Sequence, residues 1–368
     1  NLTGDGTLAV SIPAGTALDN ASNTAPGAGP STAFTVDNTL TVSLGSPSDN
    51  NTRAGPVTLT VTYTGADNVT LVGDNVTVST TGTAAAGSKS VSGTGTESRT
   101  ITLDNLTGNG ALTVSIASGT ATDLAGNSAP TASASDNITV DNTAPSGLAL
   151  LVAGGDNYTK STGVSLTLSG SDNHSVTGYY LSESSTTPGL DNFTAVTAAD
   201  NYSASLSFTL SSGDGAKTVY AWLRDTAGNI GGSASDNISL DTTAPTVSVG
   251  SPSDNYSNSG PVSFTVSYTG ADNVTLAGDN VTVTATGTAA AGSKSVSGSG
   301  TATRTITLDN LTGDGTLKVT IPAGTAFDNA SNTAPGAGPS TAFTVDNTLT
   351  VSLGSPSDNN TKAGPVTL

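Results

Sequence analysis

Residues 1–59 recur at 310–368 with four differences: Ala9/Lys318, Ser11/Thr320, Leu18/Phe327 and Arg53/Lys362. A second gapless match aligns Thr41–Asp141 with Thr246–Asp346, an offset of 205 residues. Between the copies lies a divergent stretch with similar ends. A chain that repeats itself about every 100 residues must close a small core within each copy, since each copy is the size of one small domain. The expected organisation is the C-terminal part of a domain over 1–40 and complete domains over 41–142, 143–241 (divergent) and 242–347. Residues 348–368 then form the N-terminal part of the next domain. The partial units read as a cut from a longer tandem array, with completion by strands of neighbouring chains as the alternative.

Apolar residues inside each copy recur with a period of two, the spacing of a strand with one buried face. Val57, Leu59, Val61 and Tyr63 alternate with Thr; Leu112, Val114 and Ile116 alternate, as do Ile138 and Val140. In the divergent stretch Val164, Leu166 and Leu168 alternate, then Val219, Ala221 and Leu223. Turn signals such as G-S-P-S-D-N and L-T-G-N-G separate these runs. Thr, Ser, Gly and Asn dominate at the expense of good helix formers, which argues against helix. Around seven short strands per ~100 residues is the pattern of an immunoglobulin-like β-sandwich, so the expected fold class is all-β, a tandem string of such domains. Thr81–Ser98, rich in small residues, reads as a long loop or weak edge strand. Trp222 reads as a packed surface aromatic.

The unit ends carry more specific letters. Asp123-Leu-Ala-Gly-Asn127 and Asp225-Thr-Ala-Gly-Asn229 precede strand-like segments closing at Asp141 and Asp241, each followed by Thr-Ala-Pro. These ends resemble the tandem bacterial immunoglobulin-like repeats of large cell-surface proteins and adhesins, in which a D-x-A-G-N turn and a V-D-x-T-A-P junction mark each boundary. The resemblance implies a cell-surface or extracellular setting. It also implies structural calcium at the junction acids of some members, and calcium takes several oxygen ligands from Asp, Asn and carbonyls. Carried over by position, the candidates are Asp123, Asn127 and Asp141 at one junction and Asp225, Asn229 and Asp241 at the next. The third type, Asp328-Asn-Ala-Ser-Asn332 with Asp346 (repeated as Asp19, Asn23 and Asp37), departs from the pattern and lacks the Pro. Asx-turns without metal are the competing reading of all these residues. No cofactor is required otherwise.

A tetrapeptide, D-N-x-S/T, is not explained by turns alone. Every Asn that heads an N-x-S/T sequon and has a preceding residue follows Asp: Asn20, Asn50, Asn68, Asn75, Asn105, Asn137, Asn157, Asn173, Asn192, Asn201, Asn237, Asn255, Asn273, Asn280, Asn310, Asn329 and Asn359. Asn1 matches Asn310 and joins the set. Only three other Asn follow Asp, namely Asn38, Asn142 and Asn347, all at one junction position. N-linked glycan acceptors account for both the Asn and the hydroxyl, and require exposed loops in an exported chain. The acid resembles the requirement of bacterial oligosaccharyltransferases, although the best-known bacterial sequon places its acid two residues before Asn.

Little chemistry of other kinds is on offer. Cysteine is absent, which removes disulfides, thiolate metal sites and thiol catalysis. A net charge of −18 opposes nucleic acid and anionic membranes. No run approaches the ~18 apolar residues of a helical membrane span. His174 is the one His and sits at the x position of a sequon, while the only Glu residues, Glu97 and Glu183, fall in different units. The expectation is a non-enzymatic, glycosylated structural segment that serves spacing, attachment or appendage formation, with glycans and other copies of the chain as partners. The alternatives are an adhesin whose loops bind carbohydrate or protein, and an accessory region of a secreted polysaccharide-degrading enzyme.

Overall fold

The computed structural model describes residues 1–357, 362, 364 and 365. The chain forms two compact units, one of Asn1–Leu150, Thr167–Ser205 and Tyr220–Ser235, the other of Leu151–Leu166, Leu206–Val219 and Asp236–Leu368. Strands and short 3-10 turns make up the described secondary structure. No described helix is long and apolar enough to cross a membrane.

In the first unit, residues 41–140 fold as a β-sandwich. One sheet runs Thr41–Leu44, Val57–Thr64, Ser98–Thr107, Ala85–Ser92, and the other runs Asn51–Thr52, Ile138–Val140, Gly110–Ile116, Val76–Thr80. A two-stranded ladder of Asn68–Val69 and Ala121–Thr122 stands beside them. The period-two pattern does the sorting: along Val57–Thr64 the odd positions are buried while the Thr residues are half-buried or exposed. Val57 pairs with Leu103 and Leu59 with Ile101, and the facing sheet sets Leu112 opposite Ile138. These side chains are fully buried in one continuous core. Each large aliphatic closed off in this way stabilises the fold by roughly 1.5–3 kcal/mol.

Ala85–Ser92 is a regular edge strand rather than a loop, paired antiparallel with Ser98–Thr107. Its small, mostly exposed side chains hid it, because an edge strand needs little apolar content to be held by its neighbour's backbone. The L-T-G-N-G turn packs tightly on the preceding loop. A Cβ on Gly108, at φ +76°, would lie 2.1 Å from the Thr83 carbonyl oxygen, so only glycine fits there.

The second unit repeats this sandwich over 246–345, with sheets Thr246–Pro252, Val262–Thr269, Thr303–Thr312, Ala290–Ser297 and Tyr256–Ser257, Phe343–Val345, Gly315–Thr320, Thr282–Ala285. The partial copy at the start keeps one ladder, in the same register: Gly6 pairs with Val36 as Gly315 pairs with Val345. Yet Leu8 and Phe34 are 43% and 47% exposed, whereas Leu317 and Phe343 are 0% and 1% exposed. No sheet among the described residues covers the first pair. At the far end Leu349, Val351 and Leu353 are exposed as well.

The divergent stretch has longer strands, Gly163–Ser182 and Thr194–Thr209, followed by Gly215–Asp225 and Ala234–Leu240. Val176–Ser182 pairs antiparallel with Tyr220–Asp225, with a bulge between Val176 and Gly178. Trp222 is 1% exposed, a correction to its reading as a surface residue. It stacks on Tyr220 and meets Tyr180 at 5.9 Å, so the face opposite Ala221 and Leu223 is buried too. Alternation alone reads such a strand as one-sided.

Candidate functional site: the repeat junctions

Each D-x-A-x-N loop closes on itself in the same way. Asp225 Oδ1 accepts the Asn229 backbone N–H at 2.8 Å and its Oδ2 accepts Asn229 Nδ2 at 2.7 Å. Asp123 and Asn127 do so at 2.8 and 2.6 Å, Asp328 and Asn332 at 2.9 and 3.0 Å, and Asp19 and Asn23 at 2.9 and 2.9 Å. The side-chain hydrogen bond from Asn127 is the main reason the Asp123 carboxyl is held below the usual carboxylate range. This is Asx-turn chemistry, complete without a metal.

The loops also reach outward. Asn229 Nδ2 donates to the Asp141 carbonyl at 2.9 Å, Asn127 Nδ2 to the Asp37 carbonyl at 2.9 Å, and Asn332 Nδ2 to the Asp241 carbonyl at 2.7 Å. Each of these three loops therefore grips the Asp that closed the preceding repeat, some 88–91 residues earlier in the chain. Grouping by sequence neighbourhood had set Asp141 with Asp123 and Asn127, and Asp241 with Asp225 and Asn229. The structure instead sets Asp141 with Asp225 and Asn229, Asp241 with Asp328 and Asn332, and Asp123 and Asn127 with Asp37.

The same junction is gripped from the other side by its own repeat. Asn109, in the L-T-G-N-G turn, accepts the Asn142 N–H at 2.7 Å and donates to Thr143 Oγ1 at 2.7 Å. Asp214 plays this part at the next junction, accepting from the Thr242 N–H, the Thr242 hydroxyl and the Thr243 hydroxyl at 2.7–2.9 Å. Asp314 accepts from the Asn347 N–H and the Thr348 hydroxyl, which hold its carboxyl below the usual range.

One junction carries more acid than the others. Oxygen atoms of Asp141, Asp172 and Asp225 lie within 4.8 Å of one another, and all three residues are buried. Asp141 Oδ1 accepts from the Thr143 N–H and Asn173 Nδ2, and Asp172 Oδ1 from the His174 N–H. Asp141 Oδ2 and Asp172 Oδ2 have no hydrogen-bond partner. Burial first, then its carboxylate neighbours, pushes the Asp172 carboxyl up; burial likewise raises Asp225, with Asp141 adding to it. Three clustered carboxylates with two orphaned oxygens form a hard, all-oxygen donor set. Such a set fits calcium and does not suit metals that prefer nitrogen or sulfur. Asp172 escaped the sequence reading because it precedes a sequon Asn. The signal for it is its alignment with Asp67 and Asp272, whose Oδ2 atoms accept the N–H groups of Leu124 and Asn329 at 2.8 and 2.9 Å.

The sequon asparagines lie at the surface. Asn75 is half-buried, Asn359 lies outside the described residues, and all the others are exposed. Several are in strands rather than loops, including Asn105, Asn201 and Asn237, on positions that point away from the core.

No protein-family model matches the chain, and no curated protein matches it. Among solved structures, the chain is similar to FdeC, an Escherichia coli adhesin, with 15% identity over 83% of this chain and 96% of that one, at a TM-score of 0.30. It is also similar to the FN1–FN3 domains of chicken CNTN1, with 13% identity over 82% and 98% of the two chains, at a TM-score of 0.22.

Proposed function

We propose that this chain is a structural segment of an extracellular, cell-surface repeat protein, in which immunoglobulin-like repeats bounded near 142, 241 and 347 serve as spacers. The observation that carries this reading is the two-sided grip on the repeat ends at Asp141 and Asp241. Asn142 and Thr143 are held by Asn109 of their own repeat, while Asp141 is held by Asn229 of the next. Such a grip limits bending where one repeat hands over to another, which is what a spacer needs and an isolated binding domain does not. At the acidic junction Asp141, Asp172 and Asp225 would hold calcium, which would neutralise the buried charge there. Contact with neighbouring repeats or other copies of the chain belongs to the same reading.

Spin labels test this directly, because the chain has no native Cys. With Thr94→Cys and Thr187→Cys, both exposed positions, the distance distribution should be narrow in the parent and broaden in Asn229→Ala. Equal widths would refute the spacer reading.

A further inference from the structure

We infer that the D-N-x-S/T asparagines are acceptors of N-linked glycan, whereas the Asp-Asn pairs without the hydroxyl are structural. The inference rests on the reading of the chain as exported. The internal control is the set of three Asn that follow Asp outside sequons. Asn38 Nδ2 donates to the Gly4 carbonyl at 2.7 Å, Asn347 Nδ2 to the Gly313 carbonyl at 2.8 Å, and Asn142 Nδ2 to the Arg53 carbonyl. In all three the amide nitrogen is used to pin the junction.

The described sequon asparagines behave in the opposite way. Only Asn173 and Asn310 use Nδ2 as a donor, to Asp141 Oδ1 at 3.2 Å and to Ser293 Oγ at 3.3 Å. Asn75 and Asn280 are engaged through the other atom. Their Oδ1 accepts the N–H of Val72 at 3.0 Å and of Ala277 at 2.9 Å, and Nδ2 stays free. If Asp-Asn were only a turn dipeptide, both classes would use their amides alike. Among the described Asp-Asn pairs, the side-chain nitrogen is occupied in all three that lack the hydroxyl and free in all but Asn173 and Asn310 of those that have it.

A free, outward Nδ2 is what the linkage needs. The nitrogen bonds to the anomeric carbon of a sugar and releases one proton. On the donor, a lipid-linked sugar phosphate or diphosphate, the anomeric C–O bond breaks and the phosphate group leaves. No electrons change hands, and one amide N–H remains. Whether the sugar is attached before or after folding, Nδ2 must face solvent in the folded repeat to accommodate it. Asn173 and Asn310 are the two exceptions; the Asn173 Nδ2 is directed at the acid cluster, and Asn173 is expected to be the least occupied site.

Glycopeptide mapping of the protein recovered from the cells that produce it provides the test, with chain made in a non-glycosylating cytoplasm as the mass reference. Sugar is expected on peptides carrying Asn68, Asn157, Asn201 and Asn273 and absent from Asn38, Asn142 and Asn347. Ser203→Ala should remove one glycan mass, at Asn201, while Asp200 and Asn201 stay in place. Bare peptides at those four sites, sugar on Asn142, or retention of sugar in Ser203→Ala would overturn the inference. A bare chain recovered outside the cell defeats the glycan proposal alone, whereas a bare chain retained inside the cell also defeats the extracellular reading. The spin-label measurement uses unglycosylated chain, so its result is independent of both.

Discussion

Two junctions of this chain are built from the same letters and differ in what they leave unsatisfied. At the second, Asp328 and Asn332 close their loop, Asn332 holds the Asp241 carbonyl, and Asp272 spends its carboxylate on the Asn329 N–H. At the first, Asp225 and Asn229 do the same for Asp141, but Asp172 has swung its bonding to His174. Its second oxygen joins that of Asp141 without a partner. Backbone amides thus satisfy one junction, while the other buries like charges together. A buried, unpaired carboxylate is expensive, and a structure that keeps several has a reason to attract a cation.

The largest predicted difference follows from that contrast. At calcium concentrations near 100 times the dissociation constant, binding should stabilise the protein by about 2.7 kcal/mol. Asp172→Asn should abolish the gain, whereas Asp272→Asn should leave it intact; paired thermal melts with and without chelator would read both. Without calcium the sign for Asp172 inverts, since the Asn removes a like charge and should be neutral or stabilising.

The next effect is the grip itself. Asn229→Ala leaves buried oxygens of Asp225 and the Asp141 carbonyl without their donor and should destabilise by about 1–3 kcal/mol. Asn332→Ala removes the same bonds at a less buried position and should destabilise by less. Chemical denaturation of each variant gives the ranking, and equal losses would show that burial does not separate the two junctions.

Smaller still is the response to acid in chelator. The Asp172 and Asp225 carboxyls are raised, so the penalty for ionising them exists above their folded values and is relieved as pH falls towards the ordinary range near 4. Asp314 is lowered, so its stabilisation is present above the ordinary range and is lost as pH falls through its folded value. Hydrogen exchange, corrected for intrinsic rates, should therefore show the residues around Asp225 opening less readily as pH is lowered from about 7 towards the ordinary carboxylate range, while those around Asp314 do not change over that interval. The smallest effect is expected at Leu124, which is 92% exposed at a loop tip. Leu124→Thr should move stability by no more than about 0.5 kcal/mol, as measured by thermal melting.

The sandwiches were legible because alternation and burial coincide. Along Val57–Thr64 and Val262–Thr269 the pattern of side chains is the pattern of burial. The edge strand Ala85–Ser92 was ambiguous because pairing with Ser98–Thr107, not apolar content, holds it in place. Trp222 was misplaced because the alternation of Val219, Ala221 and Leu223 marks one buried face and carries no sign that the opposite face is buried too. At the junctions the residue types were legible and their partners were not. The Asx loops follow from local spacing, but Asn229 meets an Asp that lies 88 residues away. Asp172 was hidden by the sequon it introduces.

The central claim is that one junction is acid-lined and open to a cation while its counterpart is closed by hydrogen bonds. Calorimetric titration of the metal-free full chain with Ca²⁺ tests it most directly. The account predicts about one ion per chain, lost in Asp172→Asn and kept in Asp272→Asn. An absence of saturable binding, or binding that Asp272→Asn removes and Asp172→Asn does not, would contradict it.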